Sequence, residues 1–143
     1  MNVGKLIEGR ASSEIISIAI DRTVGDAVQL LAAKRIGALP VMSEGAVAGI
    51  ISERDVLYRL ADQGRACLDL PLAEAMTSPA ITVDRSVEVD EALGLMTRRR
   101  IRHLPVMENS TMCGFISIGD LVKSRFDAVR DEAQALRSYI QTA

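Results

Sequence analysis

The residues best suited to chemistry in this 143-residue chain form one motif that occurs twice. A glycine, two apolar residues, a serine, two variable residues and an aspartate occupy positions 49–55 and again 114–120. Where such a serine starts a helix at the carboxyl end of a strand, free backbone N–H groups and the helix dipole favour an anion. The aspartate can also accept hydrogen bonds from the two hydroxyls of a ribose. The motif therefore suits a ligand that carries both phosphate and ribose.

The alternative interpretation of the same motif is a helix cap. A serine at the N-cap with an acidic residue three positions later forms a capping box, which satisfies N–H groups of the first helical turn. Thr23 and Asp26 have the same spacing with no ligand implied. The serine and aspartate alone leave both interpretations open.

A cluster of basic residues precedes the second motif, at positions 98–103. Cations near a helix C-terminus are favoured by the dipole, so Arg98 and Arg99 are interpreted as a solvated helix end. Arg102 and His103 lie beyond the predicted helix, at the start of a strand, and we expect them to contact a ligand.

The matching positions of the first half, Gly37 and Ala38, carry no charge. We therefore expect two unequal sites. His103 is the single histidine of the chain, and a catalytic role for it lacks a neighbouring nucleophile or metal ligand in the sequence. No Walker loop or Gly-x-Gly-x-x-Gly motif is present, so catalysis is not expected.

The composition excludes several classes of protein. With 48% apolar and 25% charged residues, the chain fits a soluble globular protein rather than a disordered one. A formal net charge of −2 argues against a protein that coats nucleic acid. An aromatic content of 3% argues against single-strand binding, which depends on base stacking.

The sequence also bears on metal binding and on the cellular compartment. Cys67 and Cys113 share no short spacing, and one histidine is too few for a zinc site. No signal peptide and no apolar run of about 18 residues is found, so a cytoplasmic protein without a membrane span is expected.

The elements that position the motifs belong to an internal repeat. Residues 36–42 and 101–107 share the pattern Ile-x-x-Leu-Pro-Val-Met, and the alignment continues to Asp55 and Asp120. Each copy predicts a short strand (16–20, 80–83), a helix with apolar residues at spacings of three and four (from Val24 and Val89), a hairpin (38–52, 103–117) and a second helix (53–61, 118–125).

The repeated unit is therefore β-α-β-β-α, an α/β (α+β) fold. Its first two strands are expected to be parallel with a right-handed crossover. A unit of this size buries too little apolar surface to be secure alone, so the two copies are expected to pack sheet to sheet about a pseudo-two-fold axis.

Three further segments flank the repeats. A helical turn is predicted at residues 4–8, and a linker at 62–78 contains a short helix that Pro71 starts. In the C-terminal segment, Val129, Ala133, Leu136 and Ile140 form an apolar stripe. The stripe predicts a helix that packs on the module or on a second subunit.

The repeat, the Leu-Pro-Val strand and the doubled motif resemble a pair of cystathionine-β-synthase (CBS) domains, together called a Bateman module, over residues 12–127. The flanks are similar to those of stand-alone bacterial two-CBS proteins. The expected divisions are an N-terminal segment (1–11), repeat 1 (12–63), a linker (64–78), repeat 2 (79–127) and a C-terminal helix (128–143).

The resemblance implies a regulatory module that binds AMP, ADP, ATP, NAD(H) or S-adenosylmethionine between the repeats and senses energy or redox state. Asp55 and Asp120 would hold ribose hydroxyls, and Ser52 and Ser117 would meet phosphate or ribose oxygens. The other expected ligand contacts are Arg54, Arg102, His103, Ala38, Leu39, Pro40, Leu104, Pro105, Ile18, Ile20, Ile81, Thr82 and Val83.

The resemblance also implies a homodimer and an effector protein of unknown identity, with no catalytic residue, metal ligand or required cofactor. A nucleic-acid partner is not expected. Because aromatic residues are few, aliphatic side chains and backbone groups are expected to hold the adenine. Two rival hypotheses remain: a structural or interaction dimer module whose sites stay empty, and a small enzyme that uses His103 with a cleft aspartate.

Overall fold

The computed structural model describes residues 1–142 and contains the two predicted repeats. Repeat 1 consists of β1 (Ile18–Ala19), α2 (Val24–Lys34), β2 (Ala38–Ser43), β3 (Ala46–Ser52) and α3 (Glu53–Gln63). Repeat 2 consists of β4 (Val83–Asp84), α5 (Val89–Arg99), β5 (His103–Glu108), β6 (Thr111–Ser117) and α6 (Ile118–Thr142). Two short helices lie outside them, α1 (Val3–Leu6) and α4 (Leu72–Ala75), with 3₁₀ turns at Ser12–Glu14 and Gly64–Asp69.

Each repeat forms one three-stranded sheet with the predicted topology. β1 runs parallel to β2, and β2 and β3 form an antiparallel hairpin; β4, β5 and β6 repeat this arrangement. Both hairpins shift register at matching positions, after Val41 and after Val106. The sheets meet where β3 contacts β6. The β-α-β-β-α prediction and the sheet-to-sheet packing are therefore confirmed.

Each repeat has its own apolar core, which a short helix from outside the repeat completes. Leu72 and Ala75 of α4 are buried in the core of repeat 1. Val3 of α1, with Ile7 just after it, is buried in the core of repeat 2. The N-terminal segment is thus tied to the distant repeat, which places the residues that follow it beside β6.

Local sequence sets the ends of the repeat helices. Thr23 caps α2 and Ser52 caps α3, each in a complete capping box. α2 and α5 both end at an arginine in the left-handed conformation, Arg35 and Arg100, with φ of 53° and 55°. The chain therefore turns sharply after α5 and presents residues 100–103 at the start of β5.

Three predicted elements differ in length from those observed. The C-terminal segment is not a separate helix, because no proline or glycine interrupts the chain after Gly119, and α6 runs unbroken for 25 residues. β1 and β4 are two residues long, shorter than predicted. Ile16, Ile20 and Ile81 pack against the cores from outside these strands. None of the helices within residues 1–142 is long and apolar enough to cross a membrane.

Candidate functional site

The larger of two clefts between the repeats, here called cleft 1, encloses about 720 Å³. One wall is the β3–α3 junction with Ser52, and the opposite wall is the 99–103 segment of repeat 2. Thr77 of the linker and Ala80 and Ile81 at the start of repeat 2 also line the cleft. A volume of this size lies within the range of about 300–1,000 Å³ that small-molecule sites occupy.

Asp55 is held at the start of α3 by three neighbouring groups. Its Oδ2 accepts hydrogen bonds from Ser52 N and Ser52 Oγ, both at 2.9 Å. Its Oδ1 accepts from Thr77 Oγ1 at 3.1 Å. Each carboxylate oxygen has two acceptor positions, so Oδ1 retains one for a ligand hydroxyl. The predicted capping box is therefore present, and the same carboxylate also lines cleft 1.

Basic side chains dominate the charge of cleft 1. Glu53 and Asp55 are its two carboxylates, and its lining includes the arginines Arg54, Arg99, Arg100 and Arg102. Arg54 reaches across the cleft, where its Nη1 donates to the Arg100 carbonyl at 2.9 Å and so links the two repeats. Arg99 was interpreted as solvated but lies on the cleft wall. Arg98 does not line the cleft. The excess of arginine side chains along cleft 1 favours an anionic ligand.

The second motif faces a smaller cleft of about 280 Å³, here called cleft 2. Asp120 Oδ2 accepts from Ser117 N at 2.9 Å, which repeats the cap seen in the first motif. Its Oδ1 accepts from Arg10 Nη2 at 3.5 Å, so the N-terminal segment covers the position that Thr77 occupies in cleft 1. With Arg10 against Glu14 and Asp120, the charge of cleft 2 is not basic. The two clefts therefore differ in volume and in charge, and two unequal ligand sites stay a prediction.

Ala38 and His103 stand at the boundary and line both clefts. They occupy matching positions of the repeats, at the starts of β2 and β5. The ring of His103 stacks on Phe115 with centroids 5.6 Å apart and planes at 14°. Burial lowers the pKa of His103 below its ordinary value of 6.5, although Glu53 and Asp120 partly oppose this effect. His103 is therefore neutral at pH 7.

The titration of His103 should be visible in the pH dependence of the free energy of unfolding. Because its folded pKa is lowered, its contribution to stability is complete above pH 6.5 and is lost as the pH falls through the folded pKa. We expect the free energy of unfolding in urea to fall more between pH 7.5 and pH 5 in the unmodified chain than in His103→Gln. Carboxylates titrate in both chains, so the difference between the curves isolates the histidine. Parallel curves would contradict the prediction.

The structure brings some predicted site residues together and leaves others apart. Cleft 1 contains Ala38, Ser52, Arg54, Asp55, Ile81, Arg102 and His103. Cleft 2 contains Ser117 and Asp120 and shares Ala38 and His103. The remaining predicted residues line neither cleft: Ile18, Ile20, Leu39, Pro40, Thr82, Val83, Leu104 and Pro105.

The residues outside the clefts have other positions in the fold. Leu39 and Leu104 are fully buried in β2 and β5, and Ile18 and Val83 belong to the cores. Thr82 is exposed. Pro40 and Pro105 are buried beside the leucines. The Leu-Pro pairs thus fix the strands that carry the cleft residues and do not face the clefts.

Several cleft residues escaped the sequence analysis. Tyr58 lines cleft 1 and Phe115 lines cleft 2, so aromatic contact is available where aliphatic contact was expected. The signal for Tyr58 was its position one helical turn after Asp55. Thr77 and Arg10 had no sequence signal, because both reach the motifs from distant segments. Within the described residues, no group of three His, Cys, Asp or Glu side chains lies together as a metal site requires.

The fold and its clefts define a tandem module of two β-α-β-β-α units, with a motif aspartate at each cleft between them. The protein-family model described as CBS domain matches residues 3–62 and 72–127. The chain therefore belongs to the CBS-domain family, as the resemblance predicted.

Comparison with individual proteins agrees with this assignment. The mitochondrial CBS domain-containing protein CBSX3 of Arabidopsis thaliana is 42% identical over 126 residues, which are 85% of this chain and 61% of that protein. The chain thus spans less than two thirds of that relative.

Solved structures share the fold. The CBS-domain containing protein ATU1752 from Agrobacterium tumefaciens has a TM-score of 0.82 and 35% identity, covering 87% of this chain and 99% of that one. CBSX2, crystallised in complex with AMP, has a TM-score of 0.74 at 22% identity, covering 89% and 97%.

Proposed function

We propose that this chain is a regulatory module that binds an adenosyl ligand with a phosphate group in cleft 1. The observation that carries the proposal is the placement of Asp55 and of the arginines at positions 99, 100 and 102 on opposite walls of one 720 Å³ cavity. A carboxylate suits ribose hydroxyls and guanidinium groups suit phosphate oxygens, so one nucleotide satisfies both walls. The AMP complex of CBSX2, which has the same fold, supports this proposal.

We propose that ligand binding changes the relative arrangement of the two repeats. Repeat 1 supplies Asp55 and Tyr58, and repeat 2 supplies Arg102 and His103. A ligand held by both repeats favours the relative arrangement in which both walls reach it. Binding would therefore shift the population of arrangements that an effector protein recognises.

A ligand panel tests the proposal. Thermal unfolding is measured with AMP, ADP, ATP, NADH and S-adenosylmethionine, because a ligand that binds only the native state raises its stability. We expect a concentration-dependent rise with at least one of them, and calorimetry then gives its affinity. No rise at millimolar concentrations of any of the five would overturn the proposal.

Arg102 should contribute affinity through the phosphates. Arg102→Ala is expected to weaken ATP binding about tenfold, because it removes a charge-assisted hydrogen bond worth about 1.4 kcal/mol at an exposed position. Adenosine, which has no phosphate, should bind both chains equally. Arg98→Ala is the matched control, since Arg98 lies on the same basic run outside cleft 1. Equal losses in the two variants would contradict a specific phosphate contact.

Arg10 is expected to keep cleft 2 from binding. Its guanidinium lies 3.5 Å from Asp120 Oδ1, where the Thr77 hydroxyl contacts Asp55 in cleft 1, so a ligand in cleft 2 meets a larger and charged neighbour. We expect Arg10→Ala to strengthen a second, weaker binding event several-fold, so the calorimetric stoichiometry rises from one toward two per chain. Lys5→Ala, in the same N-terminal segment but outside both clefts, should leave it unchanged. A stoichiometry of two in the unmodified chain would also oppose this assignment.

A structural module with empty sites is the second candidate function. The completed capping boxes of Ser52 with Asp55 and of Ser117 with Asp120 favour it, because both pairs have partners without any ligand. The ligand panel distinguishes the two functions, since an empty module gains no stability from any nucleotide.

The remaining expectations form part of the same proposal. We propose a homodimer, because Leu57, Leu60, Val122 and Phe126 of α3 and α6 are exposed apolar residues. We also propose a cytoplasmic protein without catalytic activity. His103 stacks on Phe115 at the boundary of the clefts, an arrangement that suits a ligand contact better than a catalytic base.

A further inference from the structure

The second half of α6 is a helix without a packing partner in its own chain. Between residues 128 and 142 every residue is exposed, and the apolar side chains Val129, Leu136 and Ile140 have exposed fractions of 49%, 60% and 65%. An isolated helix of this length is marginally stable in water. The apolar face of this half therefore requires cover.

The spacing of the apolar residues indicates which kind of structure would bury this face. Intervals of three and four residues alternate without exception along Phe126, Val129, Ala133, Leu136 and Ile140. This is the heptad pattern of a coiled-coil seam, with positions a at 126, 133 and 140 and positions d at 129 and 136. Leu136 at d with Ile140 at a is the combination that favours two strands over three or four, whereas the other a positions are Phe126 and Ala133.

The charges beside the seam favour a second copy in parallel orientation. In a parallel, in-register pair, Glu132 at position g faces Arg137 of the second copy at position e. Within residues 1–142, neither forms an ion pair in its own chain. An antiparallel pair would instead bring Arg130 of one copy near Arg137 of the other.

The other parallel contact of this type, between Arg125 and Arg130, is weakened by pairing inside each chain. Arg125 Nε lies 3.5 Å from Asp90 Oδ1, and Arg130 Nη2 lies 3.4 Å from Asp127 Oδ1. Asp127 also pairs with Lys123 Nζ at 3.3 Å, so these carboxylates reduce the repulsion between the two arginines without cancelling it. The free charges at 132 and 137 then decide the orientation.

We propose that residues 126–142 pair with the same segment of a second copy of this chain as a parallel, in-register, two-stranded coiled coil. The inference adds a contact along the second half of α6 to the proposed homodimer and gives the orientation of the two chains. It does not depend on ligand binding.

Cysteine cross-linking of the full chain tests the register. In a parallel coiled coil the two a residues face each other and the f residues point outward, so Ala133→Cys should form an interchain disulfide on mild oxidation at about five times or more the yield of Ser138→Cys. The unmodified chain, with buried Cys67 and half-buried Cys113, gives the background. Equal yields at 133 and 138 would overturn the coiled coil.

A charge exchange tests the orientation in the Ala133→Cys background. Glu132→Arg and Arg137→Glu each place like charges at both contacts, so each should lower the yield. An equal mixture of the two chains restores both contacts and should recover the yield as a mixed dimer. A lack of recovery would overturn the parallel arrangement. Sedimentation equilibrium separates the two proposals: a dimeric mass without the 133 cross-link rejects the coiled coil alone, and a monomeric mass rejects the homodimer as well.

Discussion

Replacing Asp55 by Asn should weaken nucleotide binding about 10- to 100-fold. The ribose hydroxyls would lose a charged acceptor, and hydrogen bonds to charged groups contribute about 1.5–3 kcal/mol. The side chains have nearly the same shape, so the cavity volume stays the same. The amide oxygen can still accept from Ser52 N, but the amide nitrogen then faces Thr77 Oγ1 and donates to it, so the oxygen that was open to a ligand hydroxyl is replaced by a donor. Calorimetry with whichever ligand of the panel binds best measures the loss.

Two matched variants separate ligand binding from helix capping. Asp26→Asn alters the same kind of capping box on α2, and Asp26 lines neither cleft. It should lower the unfolding free energy slightly, as Asp55→Asn does, and leave affinity unchanged. Asp120→Asn should also leave the high-affinity event unchanged, because Asp120 lies in cleft 2. If Asp55→Asn changed stability like Asp26→Asn and did not change affinity, the motif would be only a cap.

The sequence was sufficient to predict the topology because both copies carry the same local signals. The strand after each helix contains a buried Leu-Pro-Val run, and a short polar connector follows, as at residues 43–45. Because the pattern occurs twice, a secondary-structure interpretation of one copy can be checked against the other copy. The roles of α1 and α4 could not be predicted, because a four-residue helix has no periodicity, and only packing shows that Val3 and Leu72 complete the cores.

The site was predictable to the extent that its residues are close in sequence. Ser52 and Asp55 are three residues apart, and the capping box fixes their geometry before any distant contact forms. Thr77 and Arg10 meet the motif aspartates across 22 and 110 residues. Such contacts depend on the path of the linker and of the N-terminal segment. Only the structure therefore identifies the residues that make the two clefts differ.

The glycine that opens each motif is explained by the same two segments. The linker pairs with β3, where Ile50 N donates to Thr77 O at 3.0 Å and Thr77 N donates to Ile50 O at 2.8 Å. A Cβ on Gly49 would lie 2.7 Å from that Thr77 carbonyl oxygen. In repeat 2 a Cβ on Gly114 would lie 2.6 Å from Ile7 Cδ1, the end of a side chain. Both glycines permit close approach, but only Gly49 meets backbone.

Gly49→Ala should therefore destabilise the chain by about 2 kcal/mol, and Gly114→Ala by about 1 kcal/mol or less. The Thr77 carbonyl is held in place by Ile50 N, so it cannot move without breaking the pairing of the linker with β3, whereas the end of the Ile7 side chain can shift without breaking a hydrogen bond. Moving Thr77 also withdraws the hydroxyl that orients Asp55, so Gly49→Ala should weaken the ligand in cleft 1 while Gly114→Ala does not. Urea unfolding and calorimetry on both variants measure the two effects. Equal destabilisation with unchanged affinity would mean that the linker adapts freely, and Thr77 would then have no part in positioning the carboxylate.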